Sequence, residues 1–341
     1  METIRVGIVG AGKNTTTMHI PNLQAIAGVE IVSVCNRSRE SSQRAAERFG
    51  VPTIYDRWQD LVAAPDTDAI VIGTWPYLHC PATLAALAAG KHVLCEARMA
   101  MNVQEARAMR DAARTHPQLV AQIVPAPHTL GVDATVQHLL AEQYLGEPLA
   151  VSIRDGNRFL DYQAPLHWRQ DMDLSGYNVL SLGIWYEVLL RWLGEATRVM
   201  AMGKVFVKQR RGDDGMLRAV RVPEHIDVLA DLACGAQAHV QISAATGHAG
   251  PAEITVFGNQ GTLRFTDGKL FGGRRGEPAL AELAIPDERR GRWRIEAAFI
   301  GAIRGQEPVT LTPFETGVKY MAFTEAVTQS IATGAAVPIL L

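Results

Sequence analysis

The feature that most constrains this chain is its first apolar run, Ile4-Arg5-Val6-Gly7-Ile8-Val9, which passes directly into Gly10-Ala11-Gly12-Lys13-Asn14-Thr15. A short strand emptying into two glycines opens a βαβ unit whose helix N-terminus can hold a pyrophosphate on backbone N–H groups. Gly10 permits the tight turn, Gly12 permits close backbone approach, and Thr15 stands where a third glycine would complete G-x-G-x-x-G. The alternation continues to about residue 125, with strands read at Ile4 to Val9, Glu30 to Cys35, Thr53 to Tyr55, Ala69 to Gly73, His92 to Cys95 and Leu119 to Val124. Between them, Arg39 to Phe49 reads as a helix stopped by Gly50, and Pro81 to Ala89 as one stopped by Gly90. Strands joined by crossover helices specify an α/β domain with a doubly wound parallel sheet.

After Pro125 and Pro127 the rhythm changes to runs suited to half-buried antiparallel strands. Val228 to Ala233 and His239 to Ser243 read as one hairpin through Cys234-Gly235-Ala236, and Ile254 to Phe257 and Thr262 to Phe265 as another. Helices are expected at Val179 to Leu193, Arg294 to Ile303 and near Phe314 to Thr333. The 341 residues therefore divide into a Rossmann domain, 1–125, and an α+β domain, 126–341, with a large, mostly antiparallel open sheet and a last helix that packs back on the first domain. Such a sheet needs cover on both faces if both are apolar, which predicts a homodimer or homotetramer.

Composition narrows the partners. The net charge of −2 gives no field favouring nucleic acid or an anionic membrane. No stretch reads as a bilayer span or a secretory leader, and Cys35, Cys80, Cys95 and Cys234 lack C-x-x-C spacing and read as buried, reduced thiols. A cytoplasmic location is expected, with no metal site, because His225, His239 and His248 lack ligand spacing.

Where the second strand ends, an NAD-binding chain usually places an acidic residue for the adenosine ribose. Here stand Asn36, Arg37 and Ser38. An amide, a guanidinium and a hydroxyl suit a 2'-phosphate, so NADP(H) is the expected cofactor and NAD(H) the alternative; a solvated loop whose arginines pair with Glu40 or Glu47 would leave the choice open.

Taken together, the glycine loop, Thr74-Trp75-Pro76-Tyr77-Leu78-His79, Ala88 to Glu96, His167-Trp168-Arg169, Ser175-Gly176, Leu190 to Gly194 and Gly317-Val318-Lys319-Tyr320 resemble the Gfo/Idh/MocA family. That resemblance implies an NAD(P)-dependent oxidoreductase acting on sugars, cyclitols or related small molecules, with its active site between two domains. Position by position it places Gly10, Gly12, Lys13, Asn14 and Thr15 at the pyrophosphate and Asn36, Arg37 and Ser38 at the adenosine ribose. Thr74, Trp75, Pro76, Tyr77 and His79 would line the nicotinamide side, with Glu96 and Ala97 near its ribose and Trp168 and Arg169 reaching in from the second domain. Trp75 reads equally well as a core or lid aromatic.

The resemblance fails at the chemistry. The family's Glu-Lys-Pro is Glu96-Ala97-Arg98 here, and its Asp and His, four residues apart on one helix, are Ser181 and Trp185. An acid or base typically contributes about 100- to 10,000-fold to such a reaction, so replacements are sought nearby. Tyr177 and Trp185 are read as sharing one helix face with Ser181, Arg98 as a cation that lowers the tyrosine pKa, and His128 as the other acid or base. A lyase or glycosidase-like enzyme with transient oxidation, and a catalytically silent NAD(P)-binding sensor, are the competing functions.

Overall fold

The computed structural model describes residues 3–340. Its first sheet contains β1 (Ile4–Val9), β2 (Val29–Cys35), β3 (Thr53–Ile54), β4 (Ala69–Ile72), β5 (His92–Cys95) and β6 (Ala121–Ile123) in the order β3-β2-β1-β4-β5-β6. Every pairing in it is parallel. β1 and β4 are almost wholly buried because helices cover both faces of such a sheet, and their Ile and Val content suits that burial.

The crossover helices are α1 (Ile20–Gln24), α2 (Arg39–Phe49), α3 (Trp58–Ala63), α4 (Pro76–Ala88) and α5 (Val103–Thr115). α2 keeps its expected bounds: the Ser38 side chain caps the Ser41 N–H, and Gly50, at φ 67°, ends it. α4 starts five residues before the expected Pro81, since Pro76 takes the N1 position and Pro81 is carried inside the helix.

The other sheet is built from β7 (Pro148–Asp155), β8 (Ala196–Lys204), β11 (His225–Leu232), β12 (Gln237–Ser243), β13 (Glu253–Gly258), β14 (Gly261–Thr266), β15 (Lys269–Arg274), β16 (Ala281–Glu282) and β17 (Val337–Pro338). A separate short hairpin joins β9 (Gln209–Arg211) to β10 (Leu217–Ala219). The strand order is β16-β15-β14-β13-β7-β12-β11-β8-β17, antiparallel except for the parallel β7–β12 pair. Both expected hairpins are present, β11–β12 and β13–β14. Alternation along β11 and β12 buries one face and leaves the other open.

With this sheet stand α6 (Asp133–Ala141), which sequence reading missed, α7 (Met172–Ser175) and α8 (Leu182–Leu193). α8 begins three residues later than expected, because Leu180 has φ 45° and breaks the helical path. α9 (Ile295–Ile303) and α10 (Phe314–Thr333) close the chain. By packing, one compact unit takes in the chain up to Pro125 together with Arg294–Val318, and the other takes in Ala126–Trp293 together with the chain from Lys319 onward. In the first, Ile8, Ile70, Ile72, Leu94 and Phe299 are fully buried; in the second, Trp185 and Tyr320 are, and Tyr186 stacks on Phe323 at 3.7 Å between ring centroids.

Candidate functional site

In the first unit, the predicted cofactor residues gather at the carboxyl ends of β1, β2, β4 and β5, the edge where ligands of open parallel sheets bind. Gly10 has φ 91°, and a Cβ there would lie 2.8 Å from both Gly73 C and Thr74 N, so the turn requires glycine. Its N–H donates to the Cys35 carbonyl, and the Gly73 N–H to that of Val9, each at 2.8 Å. Gly12, Lys13 and Asn14 are exposed, and their backbone N–H groups meet no acceptor among the described residues. Donors at a helix start with a glycine-lined approach fit an anionic pyrophosphate. Thr15 is buried against Gly73, whose added Cβ would fall 2.0 Å from the threonine hydroxyl oxygen. The turn that follows, Thr15–His19, is π-helical.

Asn36 Oδ1 accepts from the Ala11 N–H at 2.6 Å and braces the glycine turn. Arg37 and Ser38 are exposed beside it, and the Arg37 guanidinium lies 5.5 Å from the centroid of the Trp75 ring. Arg39, not Arg37, forms an ion pair in this loop, and its partner is Asp56 at 2.7 Å rather than Glu40 or Glu47. Thr74 and Trp75 are half-buried, Pro76 is buried at the start of α4, and Tyr77 is exposed. His79 is fully buried, with Nδ1 2.9 Å from the Arg98 carbonyl oxygen and Nε2 3.0 Å from that of Thr74. It positions the loops after β4 and β5 and exposes no surface to a ligand.

Sequence reading missed the strongest polar cluster of this unit. His19, fully buried, sits between two carboxylates, with Nδ1 2.6 Å from Glu296 Oε1 and Nε2 2.9 Å from Glu96 Oε1. Burial alone would lower its pKa, but the hydrogen bonds and charges of Glu296 and Glu96 raise it to about 9, so the ring is an imidazolium at neutral pH. Asn14 Nδ2 also donates to Glu96 Oε1, the Ala97 N–H donates to Oε2 at 3.0 Å, and Asn22 Nδ2 donates to Glu296 at 3.1 Å. The glycine loop and the residue expected near the nicotinamide ribose are thereby joined through one cation. Arg98 is 4% exposed and belongs to the interior.

In the second unit the chemistry centres on Trp185, which is fully buried. Its Nε1 donates to Asp155 Oδ2 at 2.9 Å, and the Ser181 hydroxyl donates to the same oxygen at 2.5 Å. His128 stacks on the Trp185 ring, centroids 5.1 Å apart and planes 24° apart. Desolvation against that ring lowers the His128 pKa, Arg191 acts in the same direction, and Asp155 opposes them. Arg191 fixes the chain on both sides of His128: Nη2 donates to the Ala126 carbonyl and to Thr129 Oγ1, each at 3.1 Å. It is held in turn by Glu187 and Asp133, at 2.9 Å each. Ser181 and Trp185, standing where the resemblance expects Asp and His, thus both serve a carboxylate supplied by the end of β7. Asp155 was missed because its contact spans 26 residues to Ser181 and 30 to Trp185.

Tyr177 does not share that helix face. It lies before α8 in the turn after Gly176 (φ 64°) and is 37% exposed. Trp168 opens a single 3₁₀ turn with the Arg169 guanidinium 4.2 Å over its ring. His225 and His239 both pair with Asp227, at 2.9 and 3.2 Å, and His248 packs edge-on against Phe159. Cys35, Cys80 and Cys95 are buried as expected, whereas Cys234 is exposed in the β11–β12 turn. Among the described residues, no helix is long and apolar enough to cross a membrane.

Two family models match the chain. Residues 4–123 fit the oxidoreductase family model with an NAD-binding Rossmann fold, GFO_IDH_MocA, and residues 134–264 fit the GFO/IDH/MocA C-terminal domain. A 1,5-anhydro-D-fructose reductase of Ensifer adhaerens is 28% identical over 98% of both chains. An inositol 2-dehydrogenase/D-chiro-inositol 3-dehydrogenase of Shouchella clausii is 28% identical over 44% of this chain and 43% of its own. A D-glucoside 3-dehydrogenase of Escherichia coli is 33% identical over 35% of this chain and 34% of its own. Levoglucosan dehydrogenase, in complex with NADH and L-sorbose, has the same fold at TM-score 0.86 and 22% identity over 99% of both chains.

Proposed function

Because the chain belongs to the Gfo/Idh/MocA oxidoreductase family, we propose that it moves hydride between NAD(P)(H) and a carbinol or carbonyl carbon of a sugar- or cyclitol-like substrate. The observation that carries this reading is the glycine turn, whose exposed N–H groups on Gly12, Lys13 and Asn14 lack acceptors among the described residues and fit a pyrophosphate. The relatives named above act on sugars and inositols, which supports the substrate class. When bound, the nicotinamide ring supplies the hydride acceptor or donor.

The chain's own residues supply the rest. Gly10 and Gly12 admit the pyrophosphate, Asn36 braces the turn, and Arg37 and Ser38 offer a guanidinium and a hydroxyl to a 2'-phosphate, so NADP(H) is preferred. His128 handles the proton, since its stacked ring keeps a neutral nitrogen near pH 7. The protein works as a homodimer or homotetramer in the cytoplasm: Met200, Met202 and Leu229 project from the open sheet face and are exposed by 50%, 78% and 49%.

A panel of polyols, cyclitols and aldoses, followed by NAD(P)H absorbance, tests the reaction. Net turnover of at least one is expected. Product without net cofactor change would select the lyase reading, and cofactor binding without turnover the sensor. With a substrate in hand, His128→Ala loses at least about 100-fold in kcat, while Tyr177→Phe and Arg98→Ala act only through folding or binding.

A further inference from the structure

We propose that Asp155 is the carboxylate of the substrate site, its Oδ1 accepting a hydrogen bond from a sugar-like hydroxyl while His128, against the face of the Trp185 ring, takes the proton released on oxidation. This rests on the hydride-transfer reading above.

The carboxylate is held asymmetrically. Ser181 Oγ and Trp185 Nε1 both donate to Oδ2, whereas no donor among the described residues reaches Oδ1. An ionised carboxylate accepts at both oxygens, so a half-buried one served on one side only has capacity for a further donor. Its rotamer is fixed by two residues from a single helix start, one of them the fully buried Trp185, so Oδ1 is aimed before any ligand arrives. Hydroxyl-rich molecules present donors of this kind, and a charged acceptor makes the stronger class of hydrogen bond to them.

His128 completes the pair. Trp185 carries Asp155 on its N–H edge and His128 on its ring face. The charged groups acting on the imidazole are Asp155 and Arg191, and Arg191 is itself paired with Glu187 and Asp133. In the oxidation, a bound oxidised nicotinamide would supply the acceptor for the hydride that the substrate C–H bond loses. The O–H bond breaks, its proton passes to the neutral His128 nitrogen, and the carbinol becomes a carbonyl. The imidazolium so formed is stabilised by the Asp155 charge. Reduction runs the same steps backward.

The test compares the parent, Asp155→Asn and Ser181→Ala as full-length proteins, with NADPH bound for the titration and probe binding and with the cofactor in the redox state that the substrate requires for turnover. Three readouts are taken: the pH titration of the His128 ring protons by NMR, calorimetric binding of myo-inositol and levoglucosan, and kcat on any substrate found in the turnover panel. Asp155→Asn is expected to lower the His128 pKa below the parent value, weaken probe binding at least tenfold and reduce kcat at least about 100-fold, with NADPH affinity unchanged. Ser181→Ala keeps the carboxylate and deletes one of its donors, so it gives the same changes at smaller size. If Asp155→Asn titrates, binds and turns over like the parent, the proposal is overturned and the hydride-transfer reading stands. A parent that binds neither probe and turns over no member of the panel overturns both.

Discussion

Replacing His19 with glutamine isolates the contribution of one buried cation. The imidazole lies between Glu96 and Glu296 with no solvent exposure, and its pKa is raised from 6.5 to about 9. At about 1.4 kcal/mol per pKa unit, that difference is worth about 3 kcal/mol of folding free energy. Since the folded value lies above the unfolded one, this stability is fully present below pH 6.5 and is lost as pH rises through about 9. Glu96 sets the acid side: burial alone would raise its pKa, but the hydrogen bond and charge of His19 hold it below the usual carboxylate range. Its stabilisation is therefore present above the unfolded carboxylate value and fades as pH falls through the folded one. The two shifts report one shared interaction, counted once. Thermal unfolding of the parent and His19→Gln at pH 6, 7.5, 9 and 10 is the assay. A gap of about 6–12 °C is expected at pH 6, for a unit of this size, closing toward pH 10. A gap that stays constant across that range, or a His19 ring resonance that titrates near 6.5, refutes the reasoning.

Three further outcomes are expected. Arg37→Ala should lose about tenfold or more in NADPH affinity with little change for NADH, because one charge-assisted hydrogen bond contributes about 1.5 to 3 kcal/mol; equal affinities unchanged by the substitution, measured by calorimetry, contradict the 2'-phosphate assignment. Light scattering at micromolar concentration should give a dimer or tetramer mass for the parent and a monomer for the double variant Met200→Asp, Leu229→Asp, two residues paired across β8 and β11; a monomeric parent ends the interface idea. Ellman's reagent should label one thiol quickly, the exposed Cys234, while Cys35 and Cys80, whose pKa values burial pushes up to about 11, stay silent in the folded protein; fast labelling of two or more contradicts the packing around β2 and α4.

The parallel sheet was legible in the sequence because local signals agree there: β1 and β5 carry their expected bounds, and Ser38 and Gly50 delimit α2 with side-chain and backbone chemistry that works within a few residues. Local signals misled at α8, where the apolar period runs back to Val179 but Leu180 adopts a left-handed conformation, which no propensity argument foresees. Tyr177, two residues before even the expected start, lies outside α8 and off its face. The glycine turn was read as a backbone device, which the φ of Gly10 bears out, and the sequence did not reveal that Asn36 also braces that turn. Asp155 and the His19 cluster escaped for a common reason: Glu296 lies 277 residues from His19, and Asp155 lies on a strand that the sequence did not connect to α8. Charges paired over such separations leave no periodic trace.

Thr15 at the third motif position has a consequence for how this lineage can change. The small residue that lets helix and strand approach is Gly73, where an added Cβ would strike both the Thr15 hydroxyl and the Gly10 carbonyl oxygen, at 2.0 and 2.4 Å. Replacing Thr15 with glycine removes the first collision and leaves the second. The two sites are therefore unequal under mutation: position 15 can drift among small residues, whereas position 73 has no step open to it while Gly10 keeps its turn. A saturation library should find purifying selection at a residue outside the fingerprint, and tolerance at the one inside it.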